Sequence, residues 1–190
     1  ADKSLINKVI RQYGLTRLDL IYDHKPKIWE LFNDNSAVTI QMMNETIAAI
    51  AARGDVVILG RGGFRVLADM ADVVNVFVKA SDSVRAKRIG KRDHINTGEA
   101  EELIKADDEL RSRFVRLFYG ADWADEAAYD LVIDTGSLSD EEAVARVVEA
   151  VRALPEAAAP DRKASALEVD PVLAKTVADA MARKAAKSAS

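Results

Sequence analysis

The sequence contains no cysteine and only 2 histidines among its 190 residues. The absence of cysteine excludes a disulfide framework and any thiolate metal site. His24 and His94 are isolated from each other, so we assign neither a metal-binding nor a general-base role to them. Long apolar runs and a signal-like start are also lacking, and we therefore expect a cytoplasmic protein with no membrane partner.

An excess of basic charge is lacking as well. The 27 Lys and Arg residues are outnumbered by 31 Asp and Glu residues, which gives a formal net charge of −4 and a sequence pI of about 5.3. Such a chain has no global positive field, and it shows no pattern of aromatic and basic residues typical of nucleic-acid-binding sheets. Nucleic acid is therefore disfavoured as a partner, and any anion site must be local.

Three short apolar runs rich in β-branched residues predict buried strands at residues 56–59, 73–78 and 131–133. A turn and a helical stretch follow each run. The predicted helix N-caps are Ser36, Ser81 and Ser139, the last within a capping box that ends at Glu142. Alternating strands and helices require parallel pairing, so we predict an α/β fold with helices on both faces of a small sheet.

The composition changes after Leu154. Residues 155–160 are proline and alanine with one glutamate, and the following segment is rich in alanine and lysine. We predict one α/β domain over residues 1–154, a linker over 155–166 and a peripheral helical tail over 167–190. A solvated helix is the preferred interpretation of this tail, and binding to a partner or to an anionic polymer is the alternative.

A Gly-Arg-Gly-Gly turn at residues 60–63 directly follows the first predicted strand. Ligand sites in parallel sheets lie beyond the carboxyl ends of the strands, where glycine allows close approach and Arg61 offers a fork to phosphate. The alternative is a flexible connection with an exposed arginine. The turn lacks the Gly-Lys-Ser/Thr ending of an ATP phosphate loop, so it cannot replace one.

Basic residues also cluster on two consecutive predicted helices. Arg85, Arg88 and Arg92 share one helical face, and Arg111 follows on the next helix close to the acids at 107–109. Converging arginines are what phosphoryl transfer needs for charge stabilisation. The alternative is a salt-bridged pair of surface helices. For the neighbouring aromatic residues, Tyr119, Trp123 and Tyr129, we predict a packing role.

Several segments resemble the cytidylate kinase-like family of P-loop proteins in their order and spacing. They are Asp-Lys-Ser-Leu-Ile at 2–6, Ile-Leu-Gly-Arg-Gly-Gly-Phe at 58–64, Val-Phe-Val-Lys-Ala-Ser at 76–81, Asp-Asp-Glu-Leu-Arg at 107–111, Tyr-Gly-Ala-Asp-Trp at 119–123, Tyr-Asp-Leu-Val-Ile-Asp-Thr at 129–135 and Leu-Ser-Asp-Glu-Glu at 138–142. The resemblance covers about residues 2–152. It implies a P-loop kinase-like parallel sheet with flanking helices and a helical lid.

The resemblance also implies roles for individual residues. Arg61 would hold the phosphate of the acceptor, a nucleoside monophosphate such as CMP, together with substrate-binding residues Gly60, Gly62 and Asp107. The predicted catalytic residues are the lid arginines, Arg88 and Arg92, and Arg111, which would neutralise the transferring group. Mg-ATP is the expected phosphate donor of the parent enzyme. A nucleotide-sensing or partner-binding module on the same fold is the alternative.

Two departures from the family pattern bear on these expectations. The family's first strand, glycine-rich phosphate loop and following helix would lie upstream of Ala1, so we expect a truncated or processed start, no ATP bound by this chain alone and no ATP-dependent turnover. Apolar faces uncovered in this way predict a homodimer or aggregation. In addition, cytidylate kinases carry acidic residues around the Gly-Arg turn, whereas Leu59 and Gly62 stand here, which leaves the acceptor base open.

Overall fold

The computed structural model describes residues 8–9, 34–60, 62–155, 159 and 162–188. Its helices are α1 (Asp34–Ala51), α2 (Gly63–Val66), α3 (Asp82–Asp93), α4 (Thr97–Tyr119), α5 (Asp140–Arg152) and α6 (Pro171–Ser188), its strands are β1 (Val76–Lys79) and β2 (Leu131–Asp134), and 3-10 turns span Glu126–Ala128 and Ala164–Ala166. The chain divides into two compact units. One comprises the described residues of 1–73 and 155–190, and the other comprises residues 74–154.

The second unit contains the sheet. Strands β1 and β2 pair in parallel with Val76 opposite Leu131 and Lys79 opposite Asp134, and α3 and α4 lie between them in the chain. Parallel pairing requires such a helical crossover. The predicted parallel α/β arrangement is thereby confirmed for these two strands, in a helix-rich fold whose described residues form a single two-stranded sheet.

The strand predicted at residues 56–59 is wrong. This segment does not form a strand, and the side chains of Val57 and Leu59 are 72% and 64% exposed. A short apolar run becomes a buried strand only when a neighbouring strand completes its hydrogen-bond ladder and helices cover its faces. The exposed side chains of Val57 and Leu59 show that the described residues do not cover this segment in that way, and it is an irregular connection between α1 and α2.

Capping residues explain where helices of the second unit begin. The predicted capping box of α5 is confirmed, because the Ser139 hydroxyl accepts from the Glu142 N–H and the Glu142 carboxylate accepts from the Ser139 N–H. Ser81 directly precedes α3, as predicted, although its side chain makes no capping hydrogen bond. Helix α4 has a second capping box, formed by Asn96 and Glu99, which our sequence analysis missed.

The core of the first unit lies between α1 and α6. Three α1 side chains, Met43, Ile47 and Ile50, are fully buried, as the helical spacing predicts. Helix α6 contacts α1 and buries Leu173, Val177 and Ala180. The predicted tail is thus helical, but it shares a core with α1. Ser36, predicted as the N-cap of α1, lies inside the helix.

Asp72 fastens the segment before α6 to the first unit. Its carboxylate accepts hydrogen bonds from the Ala164 N–H at 2.6 Å, the Ser165 N–H at 3.1 Å and the Ser165 hydroxyl at 2.8 Å. Beside it, the Ala71 N–H donates to the Arg162 carbonyl at 2.6 Å. These contacts explain why residues 162–166 are held in place although they lie roughly 90 positions downstream in the chain. Among the described residues, no helix is both long and apolar enough to cross a membrane.

Candidate functional site

Helices α3 and α4 form a hairpin that carries most of the predicted site arginines. Ala86 on α3 and Ala100 and Ile104 on α4 form its buried centre, with Ile89 and Ile95 packed against them. In the turn, His94 adopts a left-handed backbone conformation with φ 57°. A Cβ atom added to Gly90 would lie 3.0 Å from the Ile95 carbonyl oxygen. The sequence therefore makes a tight helix–turn–helix unit on which charged side chains face outward.

One carboxylate, that of Asp108 on α4, accepts from two guanidinium groups. Arg85 of α3 donates through Nη1 to Oδ2 at 2.6 Å and through Nη2 to Oδ1 at 2.8 Å. Arg111 of α4 donates through Nη1 to Oδ1 at 2.6 Å. The Arg85 and Asp108 side chains are only 25% and 26% exposed, and their hydrogen bond is the main cause of the raised pKa of Arg85. Two-pronged pairs of this kind are the strong ones.

Arg111 also lies over an aromatic ring. Its guanidinium carbon is 5.7 Å from the centre of the Trp123 ring, within the range of a cation–π contact. Trp123 is held in turn by Phe77 of β1, edge to face at 5.7 Å, and by Tyr129, whose hydroxyl donates to the Trp123 carbonyl at 2.7 Å. The predicted packing role of Trp123 and Tyr129 is confirmed.

Arg88 reaches the carboxyl ends of both strands. It donates to the Thr135 hydroxyl at 2.8 Å and to the Thr135 carbonyl at 2.6 Å, immediately after β2. The Thr135 hydroxyl is also 3.2 Å from the carbonyl of Lys79, the last residue of β1. This edge of a parallel sheet is where ligands usually bind. In the present arrangement Arg88 connects α3 to that edge.

Arg92 is largely exposed to solvent. Its side chain is 71% exposed and pairs with the carboxylate of its neighbour Asp93 at 2.7 Å. That hydrogen bond is the main cause of the raised pKa of Arg92, and the charge of Asp107 on α4 also contributes. Asp107 itself lies 3.5 Å from an Nη atom of Arg111. Arg92, Asp107 and Arg111 are therefore within electrostatic range of one another.

The predicted site residues of the first unit are only partly described. Gly60 and Gly62 have φ values of 69° and 76°, a left-handed conformation that glycine adopts without strain. Arg61, between them, lies outside the described residues. The predicted roles of these three residues remain predictions, as do those of Asp107 and the three catalytic arginines.

The alternative interpretation, a salt-bridged pair of surface helices, agrees with the ion pairs observed on the α3–α4 hairpin. Arg85, Arg92 and Arg111 each have a carboxylate partner within 2.7 Å, and Arg113 has a longer contact with Glu109 at 3.7 Å. Sequence reasoning missed Asp108 as the shared partner of Arg85 and Arg111. The spacing of Asp108 and Arg111 by three positions on one helix was a usable signal, whereas the contact to Arg85 depends on how the two helices align.

A family match covers both the Gly-Arg-Gly-Gly turn at residues 60–63 and the α3–α4 hairpin. Residues 1–137 match the cytidylate kinase-like family. The chain belongs to the cytidylate kinase-like family. The predicted resemblance is confirmed, and the match ends two residues before the capping box of α5.

The chain is also similar to curated proteins named cytidylate kinase. The chain is 32% identical to that of Sulfurisphaera tokodaii over 117 residues, which are 62% of this chain and 64% of the relative. It is 39% identical to that of Pyrobaculum neutrophilum over 105 residues, or 55% and 56% of the two chains, and 42% identical to that of Ignicoccus hospitalis over 94 residues, or 50% and 54%. The chain thus spans less than two thirds of the length of these relatives.

The fold is similar to that of a protein whose structure has been solved. A crystal structure of an uncharacterized protein from Eubacterium ventriosum superposes with a TM-score of 0.58 at 18% sequence identity. The superposition covers 78% of this chain and 90% of the other. At this identity the likeness concerns the fold alone.

Proposed function

We propose that this cytidylate kinase-like chain forms the acceptor-binding and lid part of a nucleoside monophosphate kinase-like phosphotransferase with a P-loop-like α/β fold. CMP is the proposed acceptor. The family match over residues 1–137 carries the proposal, because it includes the Gly-Arg-Gly-Gly turn and all the arginines of the hairpin. The curated relatives, which are named cytidylate kinase, support the same reaction class.

The described side chains suit the acceptor and the transferring phosphoryl group. Phosphoryl transfer spreads negative charge over phosphate oxygens, and catalysis rests mainly on positioning and electrostatic stabilisation. Arg111, which lies over the Trp123 ring and donates to Asp108, is a positioned cation. Arg88 lies at the carboxyl edge of the sheet. In this proposal Arg61 binds the acceptor phosphate, and Arg88, Arg92 and Arg111 stabilise the charge that develops during transfer.

The donor would be Mg-ATP, which supplies the phosphoryl group when bound. The 190 residues contain no Gly-x-x-x-x-Gly-Lys-Ser/Thr motif, and the described residues contain no group of three or more acidic or histidine side chains suited to a metal ion. The described arginines suit the phosphate of the acceptor, but the described residues form no site suited to Mg-ATP. We therefore assign them no role at the metal ion.

Calorimetric titration with CMP, UMP, AMP and GMP tests the acceptor site in the 190-residue chain itself. We expect CMP to bind and Arg61→Ala to weaken binding at least about tenfold, because a charge-assisted hydrogen bond to phosphate is lost. Absence of binding by all four nucleotides would contradict the proposed acceptor site.

A kinase assay on the longest natural protein that contains this chain tests catalysis. We expect phosphate transfer from ATP to a nucleoside monophosphate, and a decrease in kcat of roughly 10²- to 10³-fold for Arg111→Ala, the cost of removing one preorganised charge-stabilising donor. Arg113→Ala is the matched control, since its contact to Glu109 is long and lies on the surface; we expect a change below about threefold. Equal losses in both variants would contradict a specific role for Arg111.

The second candidate function is a nucleotide-sensing or partner-binding module without catalysis. The observation in its favour is that Arg85, Arg92 and Arg111 are already paired with carboxylates. The same pair of experiments separates the two functions: a module binds a nucleotide or partner, while the natural protein transfers no phosphate.

A further inference from the structure

The Asp108 carboxylate has more hydrogen-bonding partners than a simple tie between two helices needs. The two-pronged pair with Arg85 alone joins α3 to α4, at 2.6 and 2.8 Å. The additional contact at 2.6 Å goes to Arg111, which lies on the same helix as Asp108 and contributes nothing to joining the helices. The contact to Arg111 therefore calls for a separate explanation.

That explanation lies in the orientation of Arg111. A guanidinium group is planar, so a carboxylate on one edge and an aromatic ring under its face together fix its plane and its rotation. Asp108 provides the edge contact, and the Arg111 guanidinium carbon lies over the Trp123 ring, 5.7 Å from its centre. Trp123 is itself anchored to the sheet through Phe77 and Tyr129.

The positive charge of Arg85 compensates the negative charge of Asp108. A lone carboxylate beside Arg111 would cancel its charge and repel a phosphate. With Arg85 paired to the same carboxylate, the Arg85–Asp108–Arg111 triad has a formal charge of +1. The other carboxylates nearby, Asp82 at 3.2 Å from Arg85 and Asp107 at 3.5 Å from Arg111, are 79% and 66% exposed, so water and salt screen them much more than Asp108.

We propose that Asp108 is a positioning residue, neutralised by Arg85, that holds the Arg111 guanidinium against Trp123 in the orientation needed to bind a phosphate group. The inference deepens the proposed function and rests on it for the identity of the ligand. The orientation of Arg111 can nevertheless be measured without any ligand.

Fluorescence of Trp123 reports whether the Arg111 guanidinium stays over its ring. The chain has two tryptophans, Trp29 and Trp123, so Trp29→Phe leaves Trp123 as the only reporter. In this background we expect Arg111→Ala to shift Trp123 emission and to increase its quenching by acrylamide, an uncharged quencher, and Asp108→Asn to reproduce most of both changes. Glu109→Gln is the matched control, because it removes the same charge one position away, at a side chain whose contact with Arg113 is 3.7 Å long; its spectrum should stay that of the parent.

A second variant guards against general loss of folding in Asp108→Asn. Arg85→Lys keeps the charge but cannot form the two-pronged hydrogen bond, and we expect a smaller change of Trp123 emission in the same direction. Far-ultraviolet circular dichroism identifies variants that keep the helices. A folded Asp108→Asn protein with the parent spectrum, beside a shifted Arg111→Ala spectrum, would overturn the proposal.

Titration with CMP and with inorganic pyrophosphate tests the phosphate part. We expect Asp108→Asn to weaken binding about tenfold, close to the effect of Arg111→Ala, while Glu109→Gln stays within about twofold. Binding unchanged in Asp108→Asn but lost in Arg111→Ala would overturn the positioning role. If the parent chain binds neither probe, the proposed function and the phosphate part of this inference both fail, and the fluorescence result alone decides whether Asp108 positions Arg111.

Discussion

The environment of a single phenol, that of Tyr129, leads to a pH-dependent prediction. Burial, together with the charges of Asp122 and Asp125, raises the pKa of Tyr129 to about 12. In the unfolded chain the pKa of tyrosine is about 10. The folded state therefore holds this proton more tightly, and its contribution to stability is complete below pH 10 and is lost as the pH rises towards 12.

Phenolate absorbance measures this titration, and the difference between the parent and Tyr129→Phe isolates Tyr129 from the other three tyrosines. We expect the difference signal to appear near pH 12. Tyr129→Phe should also lower the free energy of unfolding at neutral pH by about 1 kcal/mol, because the hydrogen bond to the Trp123 carbonyl is lost. A difference signal centred near pH 10 would show that the phenol is neither desolvated nor near the two carboxylates.

At the residue scale, the sequence predicted which arginines lie on α3 and α4 but not all of their partners; their roles in a site stay predictions. The pairing of Asp107 and Asp108 with Arg111 could be predicted from helical spacing. The contacts of Arg85 with Asp108 and of Arg88 with Thr135 span 23 and 47 positions. They depend on how α3 aligns with α4 and with the end of β2, which no local pattern in the sequence specifies.

At the scale of elements, Gly90 determines how tightly the α3–α4 hairpin turns. Alanine usually stabilises a helix relative to glycine by up to about 1 kcal/mol. At position 90, however, the added Cβ would lie 3.0 Å from the Ile95 carbonyl oxygen, a backbone atom. That carbonyl belongs to the turn whose Ile95 N–H donates to the Gly90 carbonyl at 3.2 Å, so it cannot move without loosening the turn.

We therefore expect Gly90→Ala to lower the free energy of unfolding by about 1 kcal/mol, against its helix propensity. Chemical denaturation with two-state fitting measures the effect. Gly98→Ala is the control, since its nearest contact would be the Asn96 side chain at 3.4 Å; it should be neutral or slightly stabilising. A stabilised Gly90→Ala protein would mean that the hairpin turn has room to adjust.

The elements that were predicted correctly are those with both a local pattern and a partner nearby in the fold. Strand β2 and helix α5 combine an apolar run with the Ser139 capping box. Residues 56–59 have an equally apolar run but form no strand, and Val57 and Leu59 are exposed. Burial of a strand depends on its neighbours, so periodicity and β-propensity alone do not determine it.

At the scale of the whole molecule, Asp72 connects distant parts of the chain in a pH-dependent way. Partial burial alone would raise the pKa of its carboxyl, but hydrogen bonds from Ala164 and Ser165 outweigh this and lower the pKa below the ordinary value of 3.8. The folded state thus favours the ionised form. Its contribution to stability is complete above the unfolded pKa and is lost as the pH falls through the lower folded pKa.

We expect acidification below about pH 4 to loosen residues 162–166, and Asp72→Asn to have a similar effect at neutral pH, costing about 1 kcal/mol. Hydrogen exchange of the Ala164 and Ser165 amides, followed by mass spectrometry, measures the loosening. Asp69→Asn is the control on the same surface turn. Among the described residues, no hydrogen bond joins Asp69 to residues 162–166. Unchanged exchange in Asp72→Asn would show that the Ala71 to Arg162 hydrogen bond holds the segment by itself.

Besides the hydrogen bonds of Asp72 and Ala71, this part of the chain is held by a hydrophobic core that α6 shares with α1. If α6 were only a solvated tail, truncating any of its apolar side chains would have little effect. Val177 is fully buried, whereas Val172, on the same helix, is 65% exposed.

We expect Val177→Ala to lower the free energy of unfolding by about 2 kcal/mol, from lost burial and a residual cavity, and Val172→Ala to change it by less than about 0.5 kcal/mol. Thermal unfolding of both variants measures the difference. Equal, small effects would show that α1 keeps its stability without α6, and the predicted peripheral tail would then be the better description of the last 24 residues, about 167–190.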